Sequence, residues 1–393
     1  MTVLWGTAVP MKTDSSTIEI AEALAREFVR HAAAHDASAS FPFENFDRIT
    51  AAGLGTLAVP REYGGRGAGL SETCDVIGAI ARGDASTALV LAMQYVAHGL
   101  LGRNSRWPRH LIERVWRDAV KDGAFTNHLR VEPELGTPAR GGLPATVATL
   151  QSGGWLISGH KLYSTGIPLL SWLAVWARTD EETPRVGVWL VPADAPGIQV
   201  IESWDHLGMR ASASHEVVLS AVRVPADHAV DLRAPSQWAT SDAWETAWFT
   251  LPIAALYDGI ARAARDWLVR YLTERVPSNL GAPLSTLPRF QEAIGEIDGR
   301  LLTNRMLIRT AAERADLGMP PSVHEGGLIK LTVTTNAIGA VERAVALVGN
   351  AGLSRHHPLE RHYRDVLCSR VHTPQNDTIL LNAGRAAFEA VSN

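Results

Sequence analysis

The chain has 393 residues, 46% hydrophobic and 20% charged, enough apolar material for a sizeable core in two or three domains or one multilayer unit. A formal net charge of −4, from 37 Lys and Arg against 41 Asp and Glu, supplies no basic field for nucleic acid or anionic lipid. Two cysteines, Cys74 and Cys368, are too few for a disulfide framework and fit a reducing cytoplasm. No apolar run reaches the ~18 residues of a membrane crossing, and no charged segment with an apolar core marks a signal peptide.

Residues 1–14 read as a loose arm. Ser16 and Glu19 form a capping-box pattern, and Ala21, Leu24, Ala25, Phe28 and Val29 follow at helical spacing. Helical patterns recur over 46–57, 71–80, 86–101 and 110–119, broken at 59–67 by Pro60 and clustered glycines. From about Ala124 the period changes. Short β-branched or aromatic segments at 145–150, 155–158, 173–177, 186–191, 198–201, 216–219 and 222–224 predict a compact antiparallel barrel or sandwich. After Ser236 three apolar stripes at helical spacing return, and a last helix begins near Asp377, its expected N-cap. These stripes must be buried, and an antiparallel bundle does so. The predicted domains are an N-terminal α-helical domain (1–123), a middle β domain (124–235) and a C-terminal four-helix bundle (236–393). The 12 Trp residues are expected to fill cores and interfaces more than to line a pocket.

Motifs in the same order carry a family resemblance. Val59-Pro60-Arg61-Glu62-Tyr63-Gly64-Gly65, Val131-Glu132-Pro133-Glu134-Leu135-Gly136-Thr137, Gly159-His160-Lys161-Leu162-Tyr163-Ser164-Thr165 and Leu207-Gly208-Met209-Arg210 stand in register. Glu274-Arg275, Val348-Gly349-Asn350-Ala351-Gly352, Pro358-Leu359-Glu360-Arg361 and Arg364-Asp365 complete the set. Together they resemble the acyl-CoA dehydrogenase superfamily over nearly the whole chain, which implies an α+β fold. The N-terminal domain would be helical, the middle domain antiparallel β and the C-terminal domain a four-helix bundle, assembled as a homotetramer.

The resemblance also implies a flavin, FAD first, with FMN or a diffusible reduced flavin as options. Tyr163, Ser164 and Thr165 match the strand that meets the flavin ring. Val131 and Thr137 match the loop at its pyrimidine, with His128 and Arg130 just before it. Arg275 matches an Arg that reaches the pyrophosphate of a neighbouring subunit's cofactor. Gly349 and Gln375 match positions along the dinucleotide, although Ala346 and Asp377 depart from the family there. His31 and His35, four apart on a helix, lack a third metal ligand, so no metal site is expected.

In the family a Glu removes the proton alpha to the thioester. The matching position is Thr373, with Pro374 beside it, and a hydroxyl cannot serve as a carboxylate base. The alternative position on the first long helix falls on Phe249. Glu245, about a turn earlier, and Asp258, inside the helix, would reach the site only with a shifted helix and read as solvated or core-edge carboxylates, and Glu132 reads as structural. His372 remains. Flavin monooxygenases on this fold, such as dibenzothiophene monooxygenase and the sugar nitrososynthases, resemble this chain in lacking the Glu. The first of these has a His-Thr-x-His segment similar to 372–375 and a His near the position of His98. His372 and His98 are therefore the candidate catalytic residues, with Pro374, just beyond His372, expected to end the preceding helix.

Whole-chain resemblance favours a dehydrogenase-type oxidation of an acyl thioester without the usual Glu. The missing Glu favours oxygenation of a small organic compound by reduced flavin and O₂. A non-catalytic binding protein is the third reading. A flavin reductase or an electron-transfer protein is the implied partner.

Overall fold

The computed structural model describes residues 16–103, 106–135, 142–238 and 242–392. Six helices come first: α1 (Thr17–Phe28), α2 (Ala32–Ser38), α3 (Phe43–Ala51), α4 (Leu70–Gly83), α5 (Ala85–Leu101) and α6 (Arg109–Asp122). The capping box of α1 forms in both directions between Ser16 and Glu19. Asp84 caps α5 by accepting from the Ser86 and Thr87 amides. α3 stops at Ala51, short of the predicted 57, because the chain turns at Gly53 with φ 67°. α5 buries nearly its whole circumference, which makes it the inner helix of this region.

The strands are β1 (Phe125–Leu129), β2 (Val147–Gln151), β3 (Gly154–Lys161), β4 (Leu170–Thr179), β5 (Val186–Pro192), β6 (Ile198–Ile201), β7 (Glu216–Val224) and β8 (Ala229–Arg233). They form one sheet in the order β6-β7-β3-β2-β4-β5-β8, with β1 beside β4. The sheet is antiparallel-rich but not purely antiparallel, since β1 and β2 both run parallel to β4. The predicted strands at 216–219 and 222–224 are one. β7 passes through Ala221 at φ 52°, and the Ala221 amide donates to Ser158 Oγ where the register shifts opposite Ile157 and Gly159. β1 escaped the sequence reading because Thr126, Asn127 and His128 hide its apolar signal, yet nearly all of it is buried.

The C-terminal region holds α7 (Ala243–Glu274), α8 (Pro288–Asp316), α9 (Val323–Val348), α10 (Asn350–Leu353), α11 (Leu359–Leu367) and α12 (Asn376–Ser392). α9 packs on α7, α8, α11 and α12. By length and hydropathy alone it would pass for a membrane span, but its buried stripe is engaged by those neighbours. α12 begins one residue before Asp377, so Asp377 lies in its first turn rather than at the expected cap. α11 ends at Leu367, well before Pro374, which therefore does not terminate it.

Two contacts lock the regions together. α4 crosses α7 where a Cβ on Gly259 would meet the Gly78 carbonyl at 2.5 Å, so only glycine permits that approach. The Met209 amide donates to buried Asp365 Oδ1 at 2.7 Å, joining the sheet's loop to α11.

Candidate functional site

α7 and α9 converge on the segment after α11. Tyr257, fully buried on α7, places its hydroxyl 2.7 Å from His372 Nδ1. Lys330, fully buried on α9, donates from Nζ to the carbonyls of Ser369 (3.1 Å), His372 (2.9 Å) and Pro374 (3.0 Å). Burial, helped by the Lys330 charge, pushes the His372 imidazole down to about 4, so it is neutral at physiological pH. Burial likewise lowers Lys330 to about 8. Thr373 is exposed next to them. Neither Tyr257 nor Lys330 was singled out from sequence. The available signal was one lysine inside the otherwise apolar run of α9.

His98 occupies α5. It is 1% exposed, and neither ring nitrogen has a hydrogen-bond partner among the described residues. Burial pushes it down to about 3. Orphaned buried polar atoms cost about 1–3 kcal/mol each, which sets this imidazole apart from a hydrogen-bonded core histidine. The next residue, Gly99, faces the Trp248 ring of α7, where an added Cβ would lie 2.5 Å from it. Indole Nε1 of Trp244 and of Trp248 is also buried without a hydrogen-bond partner among the described residues, and Arg103 lies 3.8 Å over the Trp244 ring.

The third group of candidates follows β3, an inner strand of the sheet. After β3 the chain turns sharply at Tyr163 (φ 56°) and presents Tyr163, Ser164 and Thr165 in succession. Tyr163 is half-exposed, with its ring edge-on to Trp204 and His206. Thr165 Oγ1 bonds Ser214 Oγ at 2.9 Å, which bonds Ser212 Oγ at 2.8 Å. Ser164 is buried, and its Oγ has no partner among the described residues. Asn127 Nδ2 on β1 donates to the Thr165 carbonyl at 3.0 Å, tying this turn to the strand that carries His128 and leads to Arg130.

Burial, then the Arg130 charge, lowers His128 to about 4. Arg130 lies 4.7 Å over the Trp176 ring with its Nε unpartnered among the described residues, and burial lowers its pKa. Val131 offers no side-chain donor; it bridges Leu162 by accepting that residue's amide proton at 2.9 Å. Glu132 is structural: it takes Lys161 Nζ at 2.6 Å and the amides of Ala145 and Thr146.

Other predicted positions lie apart or are committed elsewhere. Thr137 and Gly136 lie outside the described residues. Arg275 is exposed just past the end of α7, Gly349 turns the chain between α9 and α10, and the Gln375 carbonyl receives the Ile379 amide at the start of α12. Asp258 is held by Arg262 and Asn304 inside the bundle, and Glu245 is exposed in the first turn of α7. Phe249 is half-buried one turn beyond Glu245. His35 is engaged by Ser40 and Glu44, and the described residues hold no cluster of three metal ligands.

Three family models match in chain order: the acyl-CoA dehydrogenase N-terminal domain at 16–104, middle domain at 131–222 and C-terminal domain at 251–376. The putative acyl-CoA dehydrogenase YdbM of Bacillus subtilis (strain 168) is 33% identical over 93% of this chain and 95% of its own. The L-evernosamine nitrososynthase of Micromonospora sp. (strain ATCC 39149 / NRRL 15099 / SCC 1413) is 32% identical over 85% of this chain and 80% of its own. A KijD3 structure in complex with FMN and an amino-keto-deoxysugar nucleotide superposes with a TM-score of 0.84 at 30% identity, covering 95% of this chain and 93% of that one. The domain models in sequence, the fold and these whole-length likenesses place the chain in the acyl-CoA dehydrogenase superfamily, as one of its flavin-dependent oxidoreductases.

Proposed function

We propose that this enzyme oxygenates a carbon, nitrogen or sulfur of a small organic molecule with reduced flavin and O₂. The observation that carries this reading is the His372 imidazole, half-buried against Tyr257 and driven to about 4. It adjoins Thr373, which we align with the position where a dehydrogenase needs a carboxylate base. Such an imidazole is a weak base but a good neutral hydrogen-bond donor. His98 is neutral for the same reason and stands ready to meet a polar ligand group. The nitrososynthase likeness agrees with a catalyst of this type.

The residues fit a flavin. Ser164 Oγ is a buried hydroxyl without a protein partner, on the turn that matches the family's flavin-edge strand, and it suits the polar rim of a flavin ring. Ser164 would hold that rim, with Thr165 supported by Ser214, and Arg130 stands at the loop that meets the pyrimidine side. Bound flavin supplies the two electrons that activate O₂. His372 and His98 then orient substrate and oxygen through neutral N–H groups, and the surrounding Trp side chains exclude water. FMN delivered by a separate reductase suits the chain better than tight FAD, because Ala346 and Asp377 give little to a dinucleotide and KijD3 is recorded with FMN. A homotetramer is part of the proposal: Leu302, Met306, Leu380 and Leu381 expose apolar side chains on α8 and α12.

The likeness to YdbM favours a second reading, oxidation alpha to a thioester carbonyl. One pair of measurements separates them. With reduced FMN, labelled O₂ and a panel of amines, thioethers and indoles, oxygenation puts one ¹⁸O atom into product. Bleaching of bound oxidised flavin by an acyl-CoA under anaerobic conditions, with no label incorporated aerobically, would replace this proposal with dehydrogenation.

A further inference from the structure

We infer that Tyr257 and Lys330 are positioning residues that present His372 as its neutral Nε2–H tautomer, a hydrogen-bond donor rather than a base. The significance of this for oxygenation rests on the proposed function; the tautomer itself does not. Tyr257 is completely buried, and His372 Nδ1 is the partner its hydroxyl has among the described residues. If Nδ1 carried the proton and donated to the phenol oxygen, the Tyr257 O–H would be left buried with no acceptor, at a penalty a well-packed protein avoids. The phenol therefore donates, Nδ1 accepts, and the proton of the neutral ring resides on Nε2.

Lys330 fixes the backbone on which that ring sits. An ammonium has three protons, and here they meet three carbonyls, those of Ser369, His372 and Pro374. The described residues offer it no carboxylate, so these three carbonyls are what offset its desolvation, and meeting them orders the segment. A buried unpaired charge is costly compared with a hydrophobic residue of the same volume, and its presence argues for a positional role. It also opposes a second positive charge on His372, as the depressed imidazole pKa reflects. The groups facing this pair are Tyr257 from α7, Lys330 from α9, and Asp365 and Cys368 near the Tyr257 hydroxyl.

The test is ¹⁵N-histidine NMR on the full-length protein at neutral pH. His372 is expected with a protonated Nε2 and a hydrogen-bond-accepting Nδ1; the opposite tautomer or an imidazolium would overturn the assignment. Tyr257→Phe should leave a mixture of tautomers, an unchanged circular dichroism spectrum and unchanged FMN affinity, with the ratio of product to released peroxide falling at least several-fold. A single unaltered Nε2–H form in that variant would remove Tyr257 from the scheme. ¹⁵N-lysine spectra of the unaltered protein check Lys330 without risk to folding. A slowly exchanging Nζ ammonium is expected, and rapid exchange with solvent would overturn the clamp. Absence of ¹⁸O in product with the tautomer intact would count against the monooxygenase reading alone, so the two failures are distinguishable.

Discussion

Tyr257 Oη and His372 Nδ1, 115 residues apart in the chain, lie 2.7 Å apart at the meeting of α7 and the segment after α11. This one bond orients an imidazole that sequence reasoning identified and a tyrosine that it did not. It also changes the expectation for pH. A free imidazole acting as base would give turnover rising through about 6.5, whereas a ring held near 4 is already neutral there.

His372→Ala should therefore bind flavin normally and still oxidise reduced flavin, but release hydrogen peroxide in place of product. A loss of about 10²–10⁴-fold in product formation matches the usual contribution of a positioned proton donor. Peroxide and product are quantified in the same reaction; full coupling in the variant would exclude His372 from the chemistry.

Ser164→Ala is a discriminating change because the hydroxyl has no partner to lose among the described residues. Thermal stability without flavin should be unchanged or slightly higher. Flavin affinity should fall by roughly 5–10-fold, the worth of one hydrogen bond of about 1 kcal/mol. Equal affinity in fluorescence titrations would place the flavin elsewhere.

Lys161 and Glu132 form a buried pair, and Lys161 also donates to the Trp176 carbonyl. Removing one charge strands the other, so Glu132→Gln should destabilise by about 3–5 kcal/mol in denaturant unfolding. The double change Lys161→Met with Glu132→Gln should recover part of that loss. A near-neutral single variant would show that the pair is solvated.

Stability should fall with acid. His98 and His362 are buried and lowered to about 3 from 6.5, so between those values the unfolded state binds more protons than the folded one. Their contribution is complete above 6.5 and is lost as pH falls toward 3, at up to about 1.4 kcal/mol per pH unit for each group. His98→Leu should flatten the dependence of the melting temperature on pH over this window. An unchanged slope would mean that His98 is already hydrated in the folded protein.

Met306→Glu together with Leu381→Glu should lower the assembly state, read by light scattering, while circular dichroism is preserved. Both side chains are more than half exposed in the single chain. A monomer before substitution would dismiss the tetramer.

The helix, sheet, helix order was legible because periodicity is local. The capping box at Ser16 and Glu19, the apolar stripes of α7 to α9 and the short strand between Ile198 and Ile201 all stand in the chain as they stand in the structure. The ordered motifs from Val59 to Asp365 determined the superfamily for the same reason, since each is a short run whose residues act together. Only the tertiary structure decided which groups are paired. β1 joins β4 in parallel across some 45 residues, a pairing that no alternation in Thr126, Asn127 and His128 announces. Ser164 is left without a partner while neighbouring Thr165 is satisfied by Ser214, though both are small hydroxyls in one turn. Lys330 reads as an ordinary helix lysine until α9 is seen to bring its ammonium to three carbonyls about 40 residues away. Hydrogen-bond satisfaction and desolvation depend on neighbours brought together by packing, so the sequence names the titratable groups while the fold sets their protonation states.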